Sequence, residues 1–113
     1  MRTDISELVW EPEVAMDSVV LEIVRSRVAA LQRLDMAALE GLPAQRREEL
    51  PALGKVAVVE YHNVNDEGDH RIIVQAARQR WFGMFTATAV DGFVLRKDGE
   101  RRPLTDPEKW PYT

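Results

Sequence analysis

The sequence contains no cysteine, and this absence removes several kinds of chemistry at once. Disulfide bonds, thiolate nucleophiles and cysteine-ligated zinc are all excluded. Long apolar stretches are also missing, because no run of apolar residues exceeds four, as in Val56 to Val59. Such runs are too short to cross a membrane, and residues 1 to 20 lack the apolar core of a signal peptide. We therefore expect a cytoplasmic protein with no membrane partner.

An excess of positive charge is missing as well. The net charge of −4 argues against a dedicated DNA-binding protein. The chain has neither a glycine-rich phosphate loop nor a serine in a nucleophile-elbow setting. What is present is an ordinary globular composition: 113 residues, 45% hydrophobic and 30% charged. This length predicts a single domain over residues 1–113.

Charge is distributed unevenly along the chain. Residues 71–102 carry seven arginines and lysines against three acidic residues, whereas the remainder is net acidic. One interpretation is that the two halves pack together and their charges partly cancel. The other is a basic face, with Trp81 and Phe82 beside it, that binds an acidic partner. Its residues would be Arg78, Arg80, Arg96, Lys97, Arg101 and Arg102. Because no RNA-binding motif accompanies this segment, we do not expect a nucleic-acid partner.

The first half of the chain has the pattern of helices. The segment Glu11-Pro12-Glu13 is typical of a helix start. From Glu13 to about Leu34 the apolar side chains fall within an arc of roughly 200°, which is wider than the stripe that a helix on one sheet requires. The extra apolar width of this helix predicts that something besides the sheet covers it, either the following helical segment or a second copy of the chain.

Two shorter helices are predicted after the long one. Asp35 can cap a helix over Met36 to Leu42, since aspartate is a favoured N-cap residue. Pro43 and Pro51 then bracket a predicted helix over Ala44 to Leu50.

The second half has the valine-rich pattern of strands. Lys55 to Asn65 and Arg71 to Arg80 are two predicted strands, joined by the turn Asp66-Glu67-Gly68-Asp69. If the turn closes on two residues, Glu67-Gly68, then Tyr61 faces Val74.

This register also assigns side chains to faces of the sheet. The face expected beneath the long helix carries Ala57, Val59, Tyr61, Ile72, Val74 and Ala76. The mixed second face carries Val56, Val58, Glu60, His62, Val64, Ile73, Gln75, Ala77 and Trp81.

Further turns are predicted downstream. Asp91-Gly92 and Asp98-Gly99 are strong two-residue hairpin signals. Arg101 to Leu104 is a short edge strand containing Pro103, because proline cannot donate to a ladder. Thr105 and Glu108 have the spacing of a capping box.

Together these segments predict an α+β fold, in which an N-terminal long helix and short helices pack on a meander of four or five antiparallel strands. The outline is similar to that of cystatin-like and nuclear-transport-factor-like cones. Fold outline alone implies no function.

The mixed sheet face is the first candidate site. Glu60, His62 and Gln75 form a polar centre among valines, with Trp81 beside them, which is typical both of a small-molecule pocket and of a dimer interface. A carboxylate next to an imidazole can orient it as a general base. Arg27, placed inside the apolar arc of the long helix, either meets a carboxylate or binds an anionic ligand.

A metal site is not predicted. Residues 63–70 resemble the first half of a calcium loop, but Val74 stands where the bidentate glutamate is required. His62 and His70 are expected about three residues apart along the hairpin, roughly 10 Å, too far for one zinc ion. We expect no cofactor.

The leading hypothesis is a non-enzymatic binding protein. We expect it to be a homodimer or to bind another protein, as an antitoxin or immunity-type inhibitor does, and we assign no catalytic residue. The alternative is a small-molecule-binding or weakly hydrolytic domain with a pocket around Glu60 and His62. A deep cavity beside His62 favours the alternative, whereas a flat face favours the leading hypothesis.

Overall fold

A five-stranded antiparallel sheet forms the centre of the structure, a computed structural model, and its strands neighbour one another in chain order. The structure describes the backbone of residues 4–51, 55–80 and 85–112, and the side chains of residues 18–51, 55–79 and 87–112. The α+β class and the antiparallel meander predicted from the sequence are confirmed. The strands are β1 (Gln45–Leu50), β2 (Val56–Val64), β3 (His70–Arg80), β4 (Phe85–Leu95) and β5 (Arg101–Pro103).

Helices cover one face of the sheet. They are α1 (Asp4–Gln32) and α2 (Met36–Glu40). A last helix, α3 (Asp106–Lys109), belongs to the C-terminal segment and leads into a 3-10 turn (Trp110–Tyr112). The helix start predicted at Glu11-Pro12-Glu13 is wrong, because α1 begins at Asp4 and continues through these residues. Among the described residues, no helix combines the length and the apolar character needed to cross a membrane.

The apolar face of α1 packs over β3 and β4. Val20, Val24 and Leu31 are buried against the sheet, and Leu39 of α2 joins the same core. The wide apolar arc of α1 is therefore covered by the sheet and α2 together, although Leu21 stays 37% exposed. Asp35 caps α2 as predicted, because its side chain accepts a hydrogen bond from Ala38 N at 2.9 Å.

The helix predicted over Ala44 to Leu50 is wrong, because this segment forms the edge strand β1. Its glutamates, arginines and leucine favour helix locally, but an isolated helix this short is marginal in water. Pairing with β2 instead gives the backbone of this segment the hydrogen bonds of an antiparallel ladder, with Arg46 opposite Glu60 and Glu48 opposite Val58. Tertiary pairing thus overrides the local helix preference.

The predicted register of the β2–β3 hairpin is also wrong. Tyr61 faces Ile73 and His62 faces Ile72, one residue away from the predicted partners. Asn65 N donates to Asp69 O at 3.0 Å, so the loop between them contains three residues and not two. Gly68, at φ +84°, provides the left-handed residue that such a loop requires.

A shift of one residue exchanges the two faces of β3 relative to β2. Val58, Ile72, Val74 and Ala76 therefore lie together beneath α1, whereas Ile73 faces the opposite side with Val94 and Leu104. The predicted faces each mixed residues from both sides. Val58 and Ile73 are only 1% and 0% exposed, so the chain itself hides apolar surface that was attributed to a dimer.

The hairpin predicted at Asp91-Gly92 is wrong, since β4 continues through both residues. Glycine is needed at position 92 because the backbone of β3 passes close to it, and not because the chain turns there. A Cβ added at Gly92 would lie 2.0 Å from the carbonyl oxygen of Ile72. A hairpin turn at Asp98-Gly99 is confirmed, but its loop contains three residues, 97–99, and not the two that were predicted. Arg96 N donates to Glu100 O at 2.8 Å, and Gly99 adopts φ +89°.

Arg101 on β5 holds the end of α1. Its guanidinium donates to the carbonyl oxygens of Gln32 and of Leu34, the latter at 2.7 Å, and lies 5.7 Å from the ring centroid of Phe93. Because the last turn of α1 contains no basic residue, this arginine from a distant strand satisfies carbonyls that the helix leaves without partners.

The C-terminal segment, residues 104–112, covers one end of the second sheet face. Leu104 is buried beside Ile73, and the ring of Tyr112 lies 4.7 Å from that of Tyr61 between centroids. The capping box predicted for Thr105 and Glu108 is confirmed, since Glu108 accepts from Thr105 N at 2.8 Å. Trp110, in contrast, is 70% exposed.

Replacing Gly92 is expected to disrupt the β3–β4 ladder. Gly92→Ala should lower the free energy of unfolding by about 2 kcal/mol or more, because the backbone oxygen at 2.0 Å cannot yield without moving a strand. The control is Gly41→Ala, whose Cβ would lie no closer than 3.5 Å to any neighbouring atom and which should cost less than about 1 kcal/mol. Urea denaturation measures both, and equal losses would contradict this account.

The stabilisation supplied by Glu108 should depend on pH. Two hydrogen bonds from Arg102, at 2.9 and 3.0 Å, lower the pKa of Glu108 from 4.5 to about 2 and raise that of Arg102. The folded state thus favours ionised Glu108, so its contribution is full above about pH 4.5 and disappears as the pH falls towards 2.

Glu108→Gln should therefore destabilise the protein at pH 7 by about 1–2 kcal/mol, a modest value because the partly exposed Arg102 is screened by solvent. The difference from the unmodified protein should shrink between pH 4.5 and pH 2. Glu100→Gln is the control, because Glu100 is 68% exposed and its Oε1 lies 3.9 Å from Arg96. A pH-independent loss for Glu108→Gln would argue against this interpretation.

Candidate functional site

Arg27 meets carboxylates of its own chain. Its guanidinium is hydrogen-bonded to Glu48 and lies 3.6 Å from Glu60, which also accepts a hydrogen bond from Arg46 at 2.6 Å. The alternation along β1 and β2 places all three strand residues on the face beneath α1. Two arginines and two glutamates thus neutralise one another, and both oxygens of the nearly buried Glu60 are occupied.

His62 and His70 form a second polar cluster on the same face. The expected separation of roughly 10 Å is wrong: His62 Nε2 lies 2.7 Å from His70 Nδ1, and the rings stack with centroids 5.0 Å apart. The three-residue loop causes this, because His62 faces Ile72 and a diagonal neighbour on the same face is within reach of a long side chain.

The hydrogen-bond partners determine which nitrogens carry protons. The carbonyl oxygen of Leu42 lies 2.9 Å from His62 Nδ1, so Nδ1 carries the hydrogen and Nε2 of the neutral ring accepts. His70 therefore donates from Nδ1 to His62. Its own Nε2 lies 3.8 Å from Glu40. The pair links α2, the following loop and the hairpin.

The space beside His62 is very small. The cavity that touches His62, Glu60 and Arg46 has a volume of about 10 Å³, which is at most the room that one water molecule needs. A substrate cannot enter it. The deep pocket that would have favoured the small-molecule alternative at Glu60 and His62 is not found among the described residues.

Gln75 lies on the opposite face of the sheet from Glu60 and His62. It accepts a hydrogen bond from the hydroxyl of Tyr61 at 3.4 Å and donates to the carbonyl oxygen of Tyr112. Trp81, the last of the predicted site residues, lies outside the described residues. The structure therefore brings Arg27, Glu60 and His62 to one face and separates Gln75 from them.

An open trough, which we call the sheet trough, lies on the same face as Gln75. Of the described residues, the C-terminal segment covers one end of this face, and the part that they leave uncovered encloses about 450 Å³. The floor is apolar and the walls are polar or charged. The floor comprises Ala57, Val59 and Ala77, and the walls comprise Arg47, Glu49, Lys55, Gln75 and Gln79.

Sequence reasoning missed this trough apart from Gln75. Arg47 and Glu49 were assigned to a helix, and Ala57 and Ala77 were placed on different faces. One signal was available: alanines in valine-rich strands leave the sheet surface shallow, and they are flanked here by polar residues. The correct register was needed to see that Ala57 lies directly opposite Ala77.

Four basic residues of the second half do not share one patch, and the side chain of Arg80 lies outside those that the structure describes. Arg101 binds the end of α1, Arg102 binds Glu108, and Arg96 and Lys97 border a shallow surface with Glu67, Asp69 and Asp98. In the part of the chain that the structure describes, no three metal-ligating side chains converge.

Comparison with known proteins adds no assignment. No family model matches the chain, and neither curated proteins nor solved structures show significant similarity to it. Any function must therefore be argued from the geometry of the trough and the polar clusters.

The tautomer of His62 is a direct test of the histidine pair. Because Leu42 O can only accept, a long-range ¹H–¹⁵N spectrum at pH 8 should show the hydrogen of His62 on Nδ1. His70 should carry its hydrogen on Nδ1 as well. The variant His70→Phe should leave the Nδ1 hydrogen of His62 in place, since Leu42 still accepts it. A spectrum with the hydrogen on Nε2 of His62 would contradict the pair.

Proposed function

We propose that this protein is a non-enzymatic, homodimeric binding protein that holds a segment of a partner protein in the sheet trough. The observation that carries the proposal is the apolar floor of Ala57 and Ala77, partly exposed beside the buried Val59 and bordered by charged and amide side chains. An apolar core surrounded by a polar rim is the usual composition of a protein-binding surface.

The shape of the trough favours a macromolecule over a small ligand. Its volume of about 450 Å³ lies within the range of small-molecule sites, but such sites bury most of the ligand surface. The trough is open along one side, so a small molecule would remain largely in contact with water. A partner protein supplies its own surface to close that side.

The charges around the trough favour a partner with an acidic flank. Lys55 has no ion-pair partner among the described residues, and Arg47 has only a weak contact, 3.7 Å, with Glu49. A carboxylate brought by the partner would be attracted to Lys55. An inhibitor of the antitoxin or immunity type, acting in the cytoplasm, is the biological form that we propose.

The polar clusters beneath α1 support the non-enzymatic part of the proposal. Both oxygens of Glu60 contact arginines, and both ring nitrogens of His62 have partners within 2.9 Å. A general base needs a lone pair directed at a substrate proton, whereas Glu60 is directed at Arg27 and Arg46, and His62 at Leu42 and His70. The alternative of a small-molecule site therefore applies only to the sheet trough, and no longer to a pocket around Glu60 and His62.

Binding is tested by placing a charge on the floor. Ala77→Glu should abolish capture of a specific protein from host lysate after nuclease treatment, because a buried carboxylate in the interface is costly to desolvate. The control is Ala29→Glu, the same substitution on the exposed surface of α1, which should capture normally. Lys55→Glu reverses a rim charge without touching the floor and should weaken binding of the purified partner at least about tenfold.

The melting temperatures of all variants are compared first, so that loss of binding is separated from loss of folding. Capture that is unchanged in both Ala77→Glu and Lys55→Glu would overturn the proposal. Native mass spectrometry that finds a bound small molecule in the unmodified protein, and none in Ala77→Glu, would also overturn it in favour of the alternative.

A further inference from the structure

The outer edge of β1 offers backbone groups for another strand. Among the described residues, β1 pairs only with β2. His62 N donates to Ala44 O at 2.9 Å, and the alternation of an antiparallel ladder then directs the backbone groups of Arg46 and Glu48 towards β2. The N–H and C=O groups of Arg47 and Glu49 point outward, away from the sheet. Such an edge is a template for a further strand.

The charges on this edge restrict which strand can pair there. Charged side chains normally protect an edge by repelling other strands, but β1 carries both signs. Arg47 and Glu49 lie two positions apart on the face of the sheet trough. An antiparallel strand with the opposite order of charges would therefore match them.

A second copy of β1 has that order. Two copies related by a twofold axis perpendicular to the sheet run antiparallel and keep the same face upward. When Glu48 lies on the axis, Arg47 faces Glu49 of the second copy, and symmetry repeats the pair. In the same register, the outward N–H and C=O groups of Arg47 form hydrogen bonds with those of Glu49 in the second copy. When the axis instead passes through Arg47, the two Arg47 side chains face each other. When it passes through Glu49, the two Glu49 side chains face each other, so both neighbouring symmetric registers oppose like charges.

The face beneath α1 tolerates this arrangement. The two Glu48 side chains approach each other at the axis, but each is hydrogen-bonded to Arg27 of its own chain, which offsets the repulsion. Among the described residues, α1 packs mainly on β3 and β4 and reaches β1 through the side chain of Arg27, so its backbone does not block a second copy at the outer edge.

We propose that two copies of this chain pair antiparallel through the outer edges of β1, with Arg47 of each copy facing Glu49 of the other. The two sheets then form one continuous ten-stranded sheet, given five strands in each copy, and the two troughs open on the same side. The proposal supplies the interface of the homodimer named above and does not depend on what the trough binds.

Charge exchange tests the interface. Arg47→Glu and Glu49→Arg, each alone, place like charges at both symmetric contacts and should raise the dimer dissociation constant at least about tenfold. An equimolar mixture of the two variants should restore association, because each contact then joins opposite charges. Arg33→Glu is the matched control for Arg47→Glu, since Arg33 is exposed directly after α1 and its replacement changes the net charge by the same amount.

Sedimentation velocity from about 1 to 500 μM protein measures association, at low and at high salt because exposed ion pairs are screened by salt. Hydrogen exchange should show the amides of Arg47 and Glu49 protected only at concentrations where the dimer forms. A monomer throughout this range would overturn the dimer itself. A dimer that both single variants leave unchanged would overturn only the β1 interface, and neither result bears on capture by the trough.

Discussion

The three-residue loop between β2 and β3 is the constraint on which the rest of the structure depends. Asn65 and Asp69 close it, and Gly68 adopts the left-handed conformation within it. Because side chains alternate between faces, the loop length decides which residues of β3 lie beside those of β2. With this loop His70 reaches His62, and Gln75 moves to the opposite face. A two-residue loop would instead have placed Gln75 on the face of Glu60 and His70 on the face opposite His62.

The sheet is covered unequally on its two faces, and this inequality creates the candidate binding surface. On one face α1 and α2 bury a continuous apolar core, and the charged groups at its margin bind one another. On the other face a short C-terminal segment reaches only as far as Tyr61 and Gln75. The sheet trough is the part that the described residues leave uncovered, so its extent depends on the contacts that hold this segment, including the Arg102–Glu108 ion pair.

Local rules predicted the elements that depend only on neighbours in the chain. The N-cap of α2 by Asp35, the capping box at Thr105 and the turn at Asp98-Gly99 are confirmed because each is satisfied by atoms within a few residues. The same dipeptide at Asp91-Gly92 lies inside a strand, since there the absent side chain makes room for the backbone of β3. Edge strand β1 was missed for a related reason: its residues favour helix until β2 is beside them.

The sequence by itself therefore determined the class of fold, the order of most elements and the absence of thiol chemistry. The residues Arg27, Glu60 and His62 were recognised as unusual, but their partners were not. Only the tertiary structure decided the hairpin register, the identity of β1 and the place of the trough. The physical reason is that these features depend on loop length and on pairing between segments distant in the chain, and no local preference specifies either.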